Sequence, residues 1–276
     1  MRKICAFSAL LLSVLFLLPA CGGKDNPQEE PSEPKSAEVE TNLSIESEVL
    51  GRSIMYSICF PPEYDSSKSY PVLYLLHGYE FNATDLYYAH NGWINNANLK
   101  KQVTTYIEDE GGVPFLVVTP NGQNAFYRDG YVAGMNYETF FEEEFIPFIE
   151  NKYKGNGKRA IAGLSMGGYG SLYHGIKYPS KFSYIYACSP ATSSGLNPDL
   201  TAIVDSADPS KIPPITIETG MEDMMVSYSS VQTFCRNLDS HSIAYSFNGR
   251  SGGHDWPFWT ACLPKILKKT GASFAP

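Results

Sequence analysis

Short unbroken apolar runs alternate along this chain with longer stretches whose apolar positions recur every three or four residues. Residues 44–50 and 53–60 read as two β segments joined at Gly51-Arg52, an antiparallel opening pair. Pro71-Val72-Leu73-Tyr74-Leu75-Leu76 is nearly continuously apolar, as in a strand buried on both faces, and residues 113–118 repeat the pattern. Between them, residues 85–108 are polar and aromatic and read as helical. Residues 137–153 place Phe140, Phe141, Phe145, Phe148 and Ile149 at helical spacing, with an acidic outer face. Strand-like runs follow at 160–162, 184–188, 215–218 and 243–247. Helical patterns follow the first of them at 168–173, then carry Val231, Phe234, Cys235 and Leu238, and close the chain at 258–269. This alternation predicts an α/β fold, a mostly parallel central sheet with helices on both faces. Such sheets gather their sites at the C-terminal ends of the strands.

The first residues do not belong to that pattern. Met1-Arg2-Lys3 is basic, residues 4–18 are mostly apolar, and Leu18-Pro19-Ala20-Cys21 closes the run. Residues 1–20 therefore read as a secretory signal, too short to span a bilayer. A cysteine placed directly after the small residue resembles the lipobox of bacterial lipoproteins, which predicts lipidation at Cys21. Residues 21–40 are rich in Gly, Lys, Asp, Glu, Pro and Ser and read as a disordered tether. The expected location is the bacterial cell envelope, with the chain held to a membrane, on the periplasmic or the surface side, through its N-terminal lipid. Residues 41–276 remain as one domain, since no second linker and no internal repeat appears.

The net charge of −8 and the absence of any basic stretch argue against nucleic acid as a partner. Beyond Cys5 and Cys21, the cysteines at 59, 188, 235 and 262 are widely spaced with no C-x-x-C, which argues against zinc. Cys59 and Cys188 lie in apolar runs and read as buried thiols. Cys235 and Cys262 sit on separate expected helices, where an oxidising compartment would permit a disulfide.

The candidate chemistry centres on Gly163-Leu164-Ser165-Met166-Gly167, which fits G-x-S-x-G between a buried strand and a helix start, the context the motif requires. Gly249-Arg250-Ser251-Gly252-Gly253 fits the same letters, but no helix start follows it and too little chain remains for an acid and a histidine. A serine nucleophile needs a base, and the base needs an orienting group. Of the five histidines, His90 and His174 fall within helical patterns and His241 at a polar helix end. His77 precedes Ser165, and a structural role suits it better. His254, in Gly252-Gly253-His254-Asp255-Trp256, follows the last strand and is the expected base. The acid should follow the strand at 215–218; Asp223 is the choice, with Glu222 as the alternative, and Asp255 is too close to His254 to serve. The order Ser165, Asp223, His254 is that of the α/β-hydrolase fold. Two N–H donors are required for the oxyanion, and Met166 and Tyr79 are placed to supply them.

The chain resembles the esterase D–like esterase family, which holds feruloyl and acetylxylan esterases of carbohydrate esterase family 1, tributyrin esterases, S-formylglutathione hydrolases and mycolyltransferases. The resemblance covers about residues 45–270. It runs through Leu75-Leu76-His77-Gly78, Thr119-Pro120-Asn121-Gly122, Tyr137-Glu138-Thr139-Phe140, Ala162 to Gly170, Gly220-Met221-Glu222-Asp223 and Gly252 to Trp256. It implies the α/β-hydrolase fold, Ser165, Asp223 and His254 as the triad, Tyr79 and Met166 as oxyanion donors, and no metal or cofactor. Asn121 stands where the family usually has Asp. Trp93, Tyr127, Tyr131, Trp256 and Trp259 lie near expected strand ends, where an aromatic cleft for a sugar or phenolic group is one reading and packing the other. The expected substrate is a small ester or an acylated polysaccharide carrying feruloyl or acetyl groups. No lid-sized insertion interrupts the strands, which argues against a lipase. An acyltransferase, a tributyrin or S-formylglutathione type of esterase, and a catalytically silent glycan-binding module are the alternatives.

Overall fold

The computed structural model describes residues 35–192 and 198–275, so the expected signal, Cys21 and most of the expected tether lie outside the described residues. Eight strands build one sheet: β1 (Glu38–Ser47), β2 (Arg52–Phe60), β3 (Tyr70–Leu76), β4 (Leu116–Pro120), β5 (Gly155–Leu164), β6 (Ile185–Cys188), β7 (Ile215–Gly220) and β8 (Tyr245–Arg250). Their order is β1-β2-β4-β3-β5-β6-β7-β8. β1 pairs antiparallel with β2, and β2 with β4; from β4 across to β8 every pairing is parallel. β1 opens inside the stretch expected as tether. Glu38 pairs with Phe60 and Val39 with Cys59, and Ala37 is buried, so main-chain pairing orders residues whose composition alone suggests a linker.

Successive side chains of a strand point to opposite faces, and both faces here are apolar. β3 sends Tyr70, Val72, Tyr74 and Leu76 into one layer and Leu73 and Leu75 into the other. Two amphipathic helices show how the layers close. The helix over Met166–Lys177 buries Met166, Tyr169, Leu172, Tyr173 and Ile176 in the first layer. The helix over Trp256–Phe274 buries Phe258, Trp259, Cys262, Leu263, Ile266 and Leu267 in the second.

The helices, in chain order, are α1 (Ala83–Tyr88), α2 (Gly92–Asn96), α3 (Leu99–Thr104), α4 (Tyr137–Thr139), α5 (Ile146–Lys152), α6 (Met166–Lys177), α7 (Pro198–Ser206), α8 (Tyr228–Ser240) and α9 (Trp256–Phe274). The expected helix at 85–108 is thus broken. Asn98 takes a left-handed φ of 50° between α2 and α3, and α3 runs into a π-helical turn over Thr105–Asp109. The expected helix at 137–153 likewise contains a π-helical turn, Phe140–Phe145, between α4 and α5. α7 follows a segment with no clear sequence pattern and was not expected; Leu200 and Val204, four residues apart, bury its inner face. Cys59, Cys188, Cys235 and Cys262 are buried free thiols. Cys235 belongs to the first apolar layer and Cys262 to the second, so the sheet separates the pair for which a disulfide was an option. No described helix is long and apolar enough to cross a membrane.

Candidate active site

β5 ends at Leu164 and α6 begins at Met166, so Ser165 alone makes the turn, at φ 53° and ψ −115°. Its backbone is held from both sides: its N–H donates to Cys188 O at 2.9 Å, and its carbonyl accepts from Tyr169 N at 2.9 Å and Ala191 N at 3.2 Å. The small residues around it are needed for close approach. A Cβ at Gly163 would stand 2.4 Å from the Gly167 carbonyl oxygen, and one at Gly167 would stand 2.5 Å from that of Leu76. Strand, turn and helix therefore touch main chain to main chain, and the strained serine stands at the C-terminal end of the central strand β5.

β7 and β8 deliver the next two groups. His254 Nε2 lies 2.9 Å from Ser165 Oγ, and its Nδ1 lies 2.7 Å from Asp223 Oδ2. The network assigns the proton to Nδ1, facing the carboxylate, and leaves Nε2 to accept the serine O–H. The other oxygen, Asp223 Oδ1, accepts the N–H groups of Met225 at 2.9 Å and Val226 at 2.7 Å. Burial pushes the Asp223 carboxyl up, but the bond from His254 and the two amides outweigh it and hold the group below its ordinary range. The acid thus stays ionised where the imidazole needs a counter-charge.

Glu222, the alternative acid, does something else. Its Oε2 accepts the Gly252 N–H at 2.5 Å and its Oε1 accepts from Ser251 Oγ at 3.3 Å, so it ties down the entry to the histidine loop. Asp255 caps α9, Oδ1 accepting Phe258 N–H at 3.0 Å. The sequence reading missed the deeper anchor of that loop. Glu218, buried at the end of β7, accepts from Arg250, from Tyr186 Oη at 2.6 Å and from Lys265 Nζ at 2.7 Å. Arg250 also donates to Phe258 O at 2.8 Å and lies over the Phe258 ring at 3.7 Å. The two ends of the loop carrying His254 are therefore pinned to one guanidinium. A charged residue closing the strand-like run 215–218 was the available signal, because a buried carboxylate needs partners.

The expected oxyanion donors flank the serine. A Cβ on Gly78, next to Tyr79, would be 3.4 Å from Ser165 Cβ, and Met166 is the first residue of α6. The loop carrying Tyr79 is held by residues after β4. His77 is buried and sits structurally, as expected: Nδ1 donates to Gly78 O at 2.6 Å and Nε2 accepts Gly122 N–H at 2.7 Å. Burial lowers His77 to about 4, keeping it neutral, and the Gly122 N–H at Nε2 fixes this tautomer. Asn124 Oδ1 accepts Glu80 N–H at 3.0 Å while Nδ2 donates to Glu80 O at 2.7 Å. Asn124 has a positive φ of 54°, as do Phe126 at 50° and Tyr127 at 54°, so this holding loop is itself tightly wound.

A cleft of about 440 Å³ opens over Ser165 and His254, walled by Tyr79, Phe81, Phe126, Tyr131, Trp256 and Trp259. Tyr131 and Trp256 take the expected positions there. Trp93 and Tyr127 do not. Trp93 is 1% exposed, with Nε1 donating to Leu76 O at 3.0 Å, and Tyr127 is fully buried, its hydroxyl donating to His77 O at 3.0 Å. Both have a polar atom that bonds to the main chain just before the oxyanion loop, so each packs behind the site rather than lining it. Phe126, next in sequence to Tyr127, supplies the cleft aromatic instead. Among the described residues no group of three or more His, Cys, Asp or Glu is placed to hold a metal ion.

A parallel sheet, a serine on a strained strand-to-helix turn, and a histidine and aspartate delivered by later strands define a serine hydrolase of the α/β-hydrolase fold. Residues 47–270 match the Putative esterase family, and the chain belongs to that family: it is a carboxylesterase. It is 28% identical over 238 residues to an acetyl esterase of Caldicellulosiruptor saccharolyticus, covering 73% of this chain and 84% of that one. A solved ferulic acid esterase superposes with a TM-score of 0.75 at 28% identity, over 87% of this chain and 100% of its own. An S-formylglutathione hydrolase from Agrobacterium tumefaciens shares the fold, with a TM-score of 0.71 at 16% identity over 90% of this chain and 99% of its own.

Proposed function

We propose that the chain removes feruloyl or acetyl groups from plant polysaccharide, or from related small esters, through a covalent acyl-enzyme on Ser165. The observation that carries this reading is the unbroken relay Asp223–His254–Ser165 at the floor of an aromatic cleft. Similarity to an acetyl esterase and to a ferulic acid esterase supports these two acyl groups.

His254 Nε2 takes the Ser165 proton as Oγ bonds to the ester carbonyl carbon. The carbonyl electrons move onto oxygen, and the N–H groups of Tyr79 and Met166 donate to that oxyanion. Collapse breaks the bond to the alcohol oxygen, which leaves with the proton from His254. Water then enters and gives a proton to His254 as its oxygen bonds to the acyl carbon; collapse breaks the bond to Oγ, which takes that proton from His254, and the free acid leaves. Asp223 keeps the ring in the productive tautomer and balances the imidazolium. The anchor at Cys21 belongs to the same proposal: a lipid at the head of the tether would hold the domain at the cell envelope, where acylated polysaccharide is met.

Ser165→Ala is expected to abolish release of p-nitrophenol from p-nitrophenyl acetate while leaving the circular dichroism spectrum intact; retained activity overturns the assignment. Methyl ferulate, acetylated xylan and tributyrin compared as substrates test the acyl and alcohol preference. A clear preference for tributyrin overturns the polysaccharide reading.

A further inference from the structure

Beside the aromatic cleft lies a second cavity, of about 300 Å³, whose lining includes Glu80, Asp85, Tyr88, Asn95, Asn96 and Trp256. Glu80 and Trp256 also line the cleft over Ser165, so the two spaces share a wall. Their chemistry differs. The cleft is mainly aromatic, with Tyr79, Phe81, Phe126, Tyr131 and Trp259 around the serine. The second cavity presents two carboxylates, two amides and a phenol beside one indole, and no Lys or Arg lines it.

We infer that this polar cavity is the subsite for the alcohol half of the ester, and that it selects a neutral, polyhydroxylated leaving group such as a sugar. The inference rests on the esterase reading proposed above and assigns which side of the serine each half occupies. An acyl group that is flat and apolar fits the aromatic cleft. A molecule whose ester carbon sits at Ser165 Oγ then extends its alcohol toward the wall formed by Glu80 and Trp256.

Three observations favour a neutral polyol there. Carboxylates and side-chain amides offer the acceptors and donors that hydroxyl groups need, and the Trp256 indole offers a face or edge for sugar C–H groups. Among the described residues, the amide groups of Asn95 and Asn96 and the carboxylate of Glu80 have no protein hydrogen-bond partner, so they are available to a ligand. Burial, with Asp85 nearby, pushes the Glu80 carboxyl above its ordinary range, the environment in which hydroxyl donors stabilise an acceptor. The same two carboxylates, with no cation beside them, disfavour an anionic leaving group such as the thiol half of a glutathione thioester. Glu80 directly follows Tyr79, so a leaving group bound by it is registered against the oxyanion donor.

The test is the ratio of kcat/KM for a feruloylated arabinosyl-xylotriose to that for methyl ferulate, which share one acyl group. The wild-type ratio is expected to exceed one by about tenfold or more, the value of one or two well-placed hydrogen bonds. In Asn95→Ala/Asn96→Ala and in Glu80→Gln the ratio should fall about tenfold. Asn95 and Asn96 are exposed, so folding is not at issue for the double variant. A ratio near one in wild type, or a ratio unmoved by both variants, overturns the subsite. If neither feruloyl ester is cleaved while p-nitrophenyl acetate is, the feruloyl preference has failed instead. The subsite is then judged by whether the ratio for acetylated xylo-oligosaccharide against p-nitrophenyl acetate falls about tenfold from wild type to the two variants; a ratio unmoved by both overturns it.

Discussion

Asn124 holds the loop that carries the proposed oxyanion donor, and replacing it with glycine separates that role from backbone strain. Glycine takes the φ of 54° at no steric cost, so Asn124→Gly removes only the two bonds to the Glu80 peptide, 3.0 Å and 2.7 Å long. Each contributes about 0.5–1.5 kcal/mol net, so the loop loses about 1–3 kcal/mol of fixation. If that fixation positions the Tyr79 N–H, the same energy is owed at the transition state, and kcat should fall roughly 5- to 150-fold. The ceiling is loss of a whole oxyanion donor, about 10²- to 10³-fold. KM should change by less than about twofold, because ground-state binding does not use the oxyanion position. Steady-state hydrolysis of p-nitrophenyl acetate gives both constants. A boronic acid, whose serine adduct carries a tetrahedral oxygen, should lose affinity in step with kcat/KM. Unchanged kcat together with a lowered melting temperature, or a rise in KM alone, would refute the argument and leave Asn124 as a purely structural residue.

Three further outcomes follow from the same geometry. Asp223→Asn should lower kcat about 10⁴-fold by replacing the carboxylate at His254 Nδ1 with a neutral amide that can favour the wrong tautomer, whereas Glu222→Ala, which only frees Gly252 and Ser251, should cost about tenfold or less; equal losses would reopen the choice of acid. Gly167→Ala should destabilise the fold by about 3 kcal/mol or leave it insoluble, because its Cβ would lie within 2.6 Å of the carbonyl oxygens of both Leu76 and His77; a wild-type urea midpoint would contradict this. Burial lowers His77 and His90 from 6.5 to about 4, so the unfolded chain binds protons there before the native one does. Their contribution is complete above pH 6.5 and is lost as pH falls toward 4, on the order of 3 kcal/mol for each. Urea titrations at pH 7.5 and 4.5 measure it. His77→Gln, which keeps an acceptor for Gly122 N–H, should remove about half of the loss.

The parallel core was legible because residues 71–76 and 160–164 have apolar side chains toward both faces, a pattern that few other environments tolerate. That Ser165, Asp223 and His254 come together was legible because strand-end loops in chain order leave little choice among partners. The misreadings have separate physical causes. Trp93 and Tyr127 sit near strand ends as expected, but sequence does not say which way an aromatic ring turns. Here each ring's polar atom bonds to a main-chain carbonyl inside, at Leu76 and His77 respectively. The helical stretch at 85–108 broke because one asparagine, Asn98, adopts a left-handed turn that no periodicity reveals. The Asn124 clamp and the Arg250 anchor are long-range side-chain contacts, invisible until the loops are brought together.

His254 stands one residue before the cap of α9, and Asp255 starts that helix. Phe258, Cys262, Leu263, Ile266 and Leu267 must pack beneath the sheet before the imidazole can reach Ser165. A chain emerging from the ribosome therefore displays its serine well before its base, and chemistry waits for α9 to dock. Ester hydrolysis therefore reports that α9 is seated, and an active molecule is one in which that helix has docked.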